Sequence, residues 1–348
     1  MPSLSHTVLR LQKRVPLTIS RGTSTHSEVI WIRWSEDGVE GWGETAPFAI
    51  DAHPQRLDTL LAALEEHRPW LEETSAWSRD ETEKRLWSSG APSALIAGLN
   101  QAMYDWAGRR LGQPVWRLLG LSDGPGPLTS VTVGISSPEA ARNRVRQWLE
   151  VGDVRAFKIK LGAPAGIGAD QAMFEAVHET IPAGARVSVD ANGGWNPADA
   201  AVMARWLGER GVDHLEQPLA VGQEAHLAAL QAASPLPILV DESCRTAADI
   251  PRLAGAVAGI NIKLMKCGGL DGGLRLVHAA RAHGLKILVG CYGSTALGNT
   301  CAATLGPLVD YLDLDSHLNL STDPFAGAAL RAGRLELPSL PGFGLIHD

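Results

Sequence analysis

From Leu128 onward the chain repeats one pattern: a short run of β-forming residues, a polar or reactive residue at its end, then a helical stretch. The run ends Lys160, Asp190, Glu216, Asp241, Lys263 and Cys291 follow one another at intervals of 30, 26, 25, 22 and 28 residues. The eight runs cover 129–135, 155–162, 186–191, 212–218, 237–243, 259–266, 286–291 and 309–315. Between them, stretches such as PEAARNRVRQWLEVG, NPADAAVMARWLGERG and GLRLVHAARAHG repeat apolar residues at helical spacing. A strand, a helix and two turns use up about that interval. Eight such units predict a parallel α/β barrel, and few other folds accommodate them. The alternative is an open doubly wound sheet, and the absence of a glycine-rich dinucleotide fingerprint after the first strand weighs against it.

The first third reads differently. Residues 5–15 and 27–34 are rich in β-formers, and a turn at Glu36-Asp37-Gly38 separates the second run from VEGWGET, which predicts an antiparallel meander. Helical patterns follow over 54–69, 77–88 and 92–111. Gly112, Pro114 and the SDGPGP stretch at 122–127 then break the pattern. The expected organisation is an α+β domain over 1–125, a barrel over 126–324, and a tail over 325–348 that packs back on the first domain. Composition restricts the partners. With 45% hydrophobic residues, 20% charged residues and a net charge of -7, the chain has no basic run to hold a nucleic acid or an anionic membrane. Neither a signal peptide nor a spanning segment is legible, and a cytoplasmic location is expected. The four cysteines form no C-x-x-C pair, so reduced thiols are the simpler reading.

In a β/α barrel the C-terminal ends of all strands open on one face, where active sites are built. Asp190, Glu216 and Asp241 end three consecutive runs and therefore converge. Three carboxylates alone would repel one another and raise one another's pKa values. A hard divalent cation resolves that, and an all-oxygen ligand set favours Mg²⁺, or Mn²⁺ in its place. Lys158 and Lys160 lie two residues apart on the second run and face the same side. A buried ammonium is costly, and a like charge beside Lys160 would make it a better base at neutral pH. Lys263 ends the sixth run, across the barrel. Two lysines on opposite walls can address opposite faces of one substrate.

The motifs FKIKLG, VDANGGW, LEQP, VDES and NIKLMKCGG, in this order and spacing, resemble the muconate-lactonizing-enzyme subgroup of the enolase superfamily. The likeness spans nearly the whole chain, including the N-terminal capping domain. It implies a modified TIM barrel, (β/α)7β, and removal of a proton next to a carboxylate, with the enediolate stabilised on Mg²⁺. It implies Asp190, Glu216 and Asp241 as metal ligands, and Lys160 and Lys263 as the acid/base pair. Lys158 is expected near the substrate, with Asn192, Glu242 and Lys266 supporting the ligands from behind. A homo-oligomer is also expected.

The subgroup shares its core among several reactions, so specificity must be read elsewhere. Asp313 and Asp315, an i, i+2 pair on the eighth run, are similar to the D-x-D of dipeptide epimerases, which binds the substrate's ammonium group. A dianionic cycloisomerase substrate would be repelled there. Residues 19–29 stand where the family has a loop closing over substrate, and Arg21 matches an arginine that holds a side-chain carboxylate in Ala-Glu epimerases. The second capping loop, 45–56, departs from those enzymes in being short and in carrying His53, which leaves hydrophobic and cationic dipeptides open. The expected activity is an Mg²⁺-dependent dipeptide epimerase. The alternatives are o-succinylbenzoate synthase, N-acylamino-acid racemase or muconate-type cycloisomerase, and, outside enzymology, a metal-binding scaffold without turnover.

Overall fold

The computed structural model describes residues 1–50, 54–122, 124 and 126–347. The expected boundary at Pro125 and the loop residue His53 lie outside the described residues. The chain opens as a meander, with β1 (Ser3–Ile19), β2 (Gly22–Glu36) and β3 (Val39–Thr45) pairing antiparallel in that order. Asp37 and Gly38 make the second turn at φ 52° and 74°, the paired positive values that match the twist of a tight hairpin. The first turn corrects the sequence reading. Residues 19–29 are not a free loop but the tip of a long hairpin, whose strands run to Ile19 and resume at Gly22. The φ of 138° at Gly22 lets the chain reverse over Ser20 and Arg21, so the following Thr23–Ser27 stretch pairs as a strand.

Helices α1 (Leu57–Leu71), α2 (Arg79–Ser88) and α3 (Ser93–Leu111) pack on this sheet. Ile30, Ile32 and Trp34 of β2 share one buried cluster with Leu95, Leu99 and Trp106 of α3. Gly41 and Gly43 set how close β3 approaches α3. A Cβ at Gly43 would lie 1.9 Å from the carbonyl oxygen of Gly98, so only glycine fits.

Eight parallel strands follow: β4 (Val131–Val133), β5 (Ala156–Lys160), β6 (Arg186–Asp190), β7 (Leu215–Glu216), β8 (Ile238–Val240), β9 (Gly259–Ile262), β10 (Lys286–Gly290) and β11 (Tyr311–Asp313). Each pairs with its neighbour in sequence, and the backbone N–H of Ser130 donates to Leu312 O at 2.9 Å, which closes the barrel. Helical connections fill all seven crossovers, and no long helix follows β11 among the described residues. This is the (β/α)7β form. Side chains alternate as the pleat demands. Phe157, Ile159, Val187 and Val189 join the large apolar cluster. The intervening Lys158, Lys160, Ser188 and Asp190 are buried as polar groups inside the barrel. The tail returns to the first domain. Phe325 packs on Trp31 at 4.5 Å between ring centroids, and His347 stacks on Trp42 at 5.4 Å. Among the described residues no helix is long and apolar enough to cross a membrane.

Glu44, at the end of β3, ties the cap to the barrel. Its carboxyl accepts from the Thr295 backbone N–H at 3.2 Å and from the Thr295 hydroxyl, just before the helix Ala296–Ala303. Burial pushes this carboxyl up to about 7, against the opposing pull of the Thr295 hydrogen bonds. Because the folded value lies above the unfolded one, the native state binds the proton more tightly. The associated stability is complete below about pH 4.5 and is lost as pH rises through about 7, on the order of 3 kcal/mol in all. Glu44→Gln is therefore expected to flatten the slope of thermal stability between pH 5 and 7.5, as measured by calorimetry across that range.

Candidate active site

At the C-terminal mouth of the barrel, side chains at the ends of β4, β5, β9, β10 and β11 line a cavity of about 360 Å³ roofed by the first hairpin, and Asp190, Glu216 and Asp241 lie beside it outside the lining. Lys160, Lys263, Asp313, Asp315, Arg21 and Asn192 all line it. Asp190 ends β6 and Glu216 ends β7, while Asp241 lies one residue past β8 and Lys263 one past β9. All three acids are at most 1% exposed.

Each acid faces a lysine. Lys160 Nζ donates to Asp190 Oδ2 at 2.6 Å, and Lys263 Nζ lies 2.8 Å from Asp241 Oδ2. Lys158 Nζ lies 2.6 Å from Glu216 Oε2, 2.7 Å from Asp313 Oδ2 and 3.5 Å from Asp190 Oδ2. Burial alone would raise the Asp190 and Asp241 carboxyls. The facing ammonium groups outweigh it and hold both below the usual carboxylate range. Glu216 goes the other way. Burial and the nearby Asp190 push it up to about 7, with Lys158 giving only partial relief.

These residues fit a divalent cation. Among the described residues no three acids stand closed on one point, and each of the three carboxylates faces an ammonium group instead. Glu216 Oε2 and Asp241 Oδ2 are buried and face their lysines without an aligned hydrogen bond, so both keep free lone pairs. The donors are all oxygen, the set that suits Mg²⁺.

Neighbouring residues hold these carboxylates in place. Asn192 donates through its backbone N–H and side-chain amide to the two Asp190 oxygens at 2.7 and 3.1 Å. Lys266 donates to Asp241 O, Asp241 Oδ1, Cys244 O and Asn261 O, all within 2.9 Å, and so is fully committed behind Asp241. Glu242 pairs with Arg21 Nη2 at 2.7 Å, and Arg21 Nη1 also donates to Asn192 O. Arg21 thus bridges the hairpin tip to the loops that follow β6 and β8, which the sequence did not indicate. The four cysteines are free thiols.

The placement of Lys158 departs from the sequence reading. It is not among the groups lining the substrate cavity but lies below them, 1% exposed, bound by three acids. Burial would lower its pKa, yet Asp313, Glu216 and Asp190 together hold it well above the ordinary lysine value. An ammonium so stabilised neutralises the floor of the site. Asn261 was not identified from the sequence. It donates to Glu216 Oε1 at 2.7 Å, two residues before Lys263, and its place inside the NIKLMK motif was the available signal.

The two acids of β11 differ. Asp313 accepts from Lys158 and from Ser130 Oγ, each at 2.7 Å, and is held below the usual range because Lys158 outweighs burial. Asp315 accepts from the Thr132 backbone N–H at 2.6 Å and has no ion-pair partner among the described residues. Burial and the neighbouring Asp313 push it up to about 6. The Arg144 guanidinium, which lines the same cavity, pulls the other way without an ion-pair contact, so Asp315 is the less committed of the two acids.

A polar barrel mouth with three carboxylates on consecutive strands and a lysine on each flank defines an enzyme site of the enolase type. Family models agree. Residues 140–348 match the enolase C-terminal domain-like family, and residues 5–120 match the mandelate racemase / muconate lactonizing enzyme N-terminal domain. The chain belongs to the mandelate racemase / muconate lactonizing enzyme family, within the enolase superfamily. Its relatives include a hydrophobic dipeptide epimerase of Roseobacter litoralis, 43% identical over 97% of both chains. Another, of Flavobacteria bacterium (strain MS024-2A), is 42% identical over 96% of this chain and 95% of its own. Among solved structures, the dipeptide epimerase from Cytophaga hutchinsonii, complexed with Mg and the dipeptide D-Ala-L-Val, superposes with a TM-score of 0.93. It is 25% identical, over 100% of this chain and 96% of that one.

Proposed function

We propose that this chain is an Mg²⁺-dependent dipeptide epimerase that moves the α-proton of the dipeptide's C-terminal residue from one face to the other. The observation that carries this reading is the pairing of two lysines on opposite sides of one cavity with an acid, Asp315, that makes no ion-pair contact among the described residues. The relatives described as hydrophobic dipeptide epimerases support it, and they favour apolar side chains in the substrate.

Asp190, Glu216 and Asp241 would hold the metal, which supplies positive charge at the carboxylate next to the reacting carbon. Asp315, with Asp313 beside it, receives the substrate's ammonium group. Lys160 and Lys263 face the α-carbon from either side. One takes the proton while the other, protonated, delivers one to the opposite face. Lys158 keeps the acid floor neutral, and Arg21 holds the hairpin tip over the site.

The test is incubation of a dipeptide library with the enzyme in D₂O, read by mass spectrometry. The expected result is one α-deuteron in the C-terminal residue of a subset of dipeptides, apolar ones foremost, with both epimers at equilibrium. Exchange into no dipeptide, or turnover confined to substrates without an amino group, would sink the epimerase reading in favour of a cycloisomerase or racemase of acylated amino acids.

A further inference from the structure

The two lysines are not held alike. Lys160 has its carboxylate and, among the described residues, no aromatic ring beneath its ammonium. Lys263 has a carboxylate on one side and the face of Tyr292 on the other, with Nζ 4.4 Å from the ring centroid. Tyr292 directly follows the Cys291 end of the seventh barrel strand and lines the cavity. Burial holds its hydroxyl protonated, so the ring meets the ammonium as a neutral π-face.

Tyr292 is itself backed from the cap. Phe48 stacks on it at 4.8 Å with the planes 8° apart. Phe48 exchanges backbone hydrogen bonds with Gln55 at 3.1 and 2.9 Å. The Gln55 amide donates to Ser93 Oγ at 2.8 Å and accepts from the Ala94 N–H at 2.9 Å. Ser93 Oγ in turn donates to the carbonyl of Met265, two residues after Lys263, at 2.8 Å. The cap thus approaches Lys263 twice, through the ring stack to its ammonium and through Gln55 and Ser93 to the backbone of Met265, two residues beyond it.

We propose that Tyr292 is a positioning residue for Lys263, and that Phe48, held by its pairing with Gln55, couples the cap to that lysine alone. Asp241 draws the Lys263 ammonium toward the buried floor, and the ring opposes that pull and keeps it facing the cavity. Among the described residues Lys160 has no such wall, so this cap contact bears on one face of the substrate only.

The inference rests on the two-lysine epimerase reading, and the test separates them. For a dipeptide that the wild-type enzyme turns over, α-proton exchange in D₂O is measured from each epimer separately. Lys263→Ala identifies the epimer whose proton Lys263 takes. Tyr292→Leu is expected to slow exchange from that epimer about tenfold, to leave the other within about threefold, and to change KM less than about twofold. Tyr292→Phe, which keeps the face, recovers most of the loss, and Phe48→Leu moves the same epimer by a smaller factor. Equal loss from both epimers, or a rise in KM alone, overturns the proposal while leaving the epimerase reading intact. Absence of exchange in the wild-type enzyme overturns both.

Discussion

Lys160→Ala and Lys263→Ala are each expected to cut epimerisation by at least about 10³-fold while each keeps proton exchange from one epimer. General acid–base catalysis by a placed side chain is worth about 10²–10⁴-fold, and epimerisation needs both lysines in one turnover. Exchange from a single epimer needs only the lysine on its own face. The two variants should therefore lose exchange from opposite epimers. Separate exchange rates by mass spectrometry or proton NMR, together with polarimetry for net inversion, make the check. If either variant keeps a tenth of wild-type epimerisation, or if both lose exchange from the same epimer, the opposed-lysine arrangement is wrong.

Much of this arrangement is legible without coordinates, and the reason is geometric. A β/α barrel places every strand end on one face, so residues 160, 190, 216, 241 and 263 can be gathered from the interval between them. The strand alternation likewise predicts that Lys158 and Lys160 share a side, and both are buried inside the barrel. Spacing does not reveal depth along the strand. Lys158 lies one residue pair lower than Lys160, and that offset of about 7 Å puts it among acids below the cavity instead of in it. The D-x-D pair hides the same difference. Asp313 is consumed by Lys158 and Ser130, and Asp315 stays open, although in sequence the two are equivalent.

The cap was harder to read. Residues 19–29 have the polar, small-residue composition of a loop, yet strand pairing with β1 continues through them because Gly22 allows a two-residue reversal. Contacts between cap and barrel were invisible for a different reason. Arg21 to Glu242, Phe48 to Tyr292 and Glu44 to Thr295 each join residues more than two hundred positions apart, and no local pattern encodes such partners. These long-range contacts position the cap over the site.

Removal of divalent metal with a chelator is expected to abolish exchange from both epimers, a loss of at least about 10³-fold, with recovery on adding Mg²⁺ or Mn²⁺. The pH dependence of that recovery follows from Glu216. Burial and Asp190 disfavour its charge and push its carboxyl up to about 7, whereas Asp190 and Asp241 are held below the usual carboxylate range. A ligand must be ionised to bind, so below about pH 7 each ion bound should displace close to one proton, and apparent affinity should fall by up to about tenfold per pH unit. Above about pH 8 the carboxylate is already charged and the slope should vanish. Titration calorimetry at pH 6 and pH 8, in two buffers of different ionisation enthalpy, counts those protons directly. Glu216→Gln has no proton to lose, so its residual affinity should be both weaker and flat across this range. An affinity independent of pH in the wild-type protein would mean that Glu216 is ionised before metal arrives, and that Lys158 neutralises it more fully than its 2.6 Å contact implies.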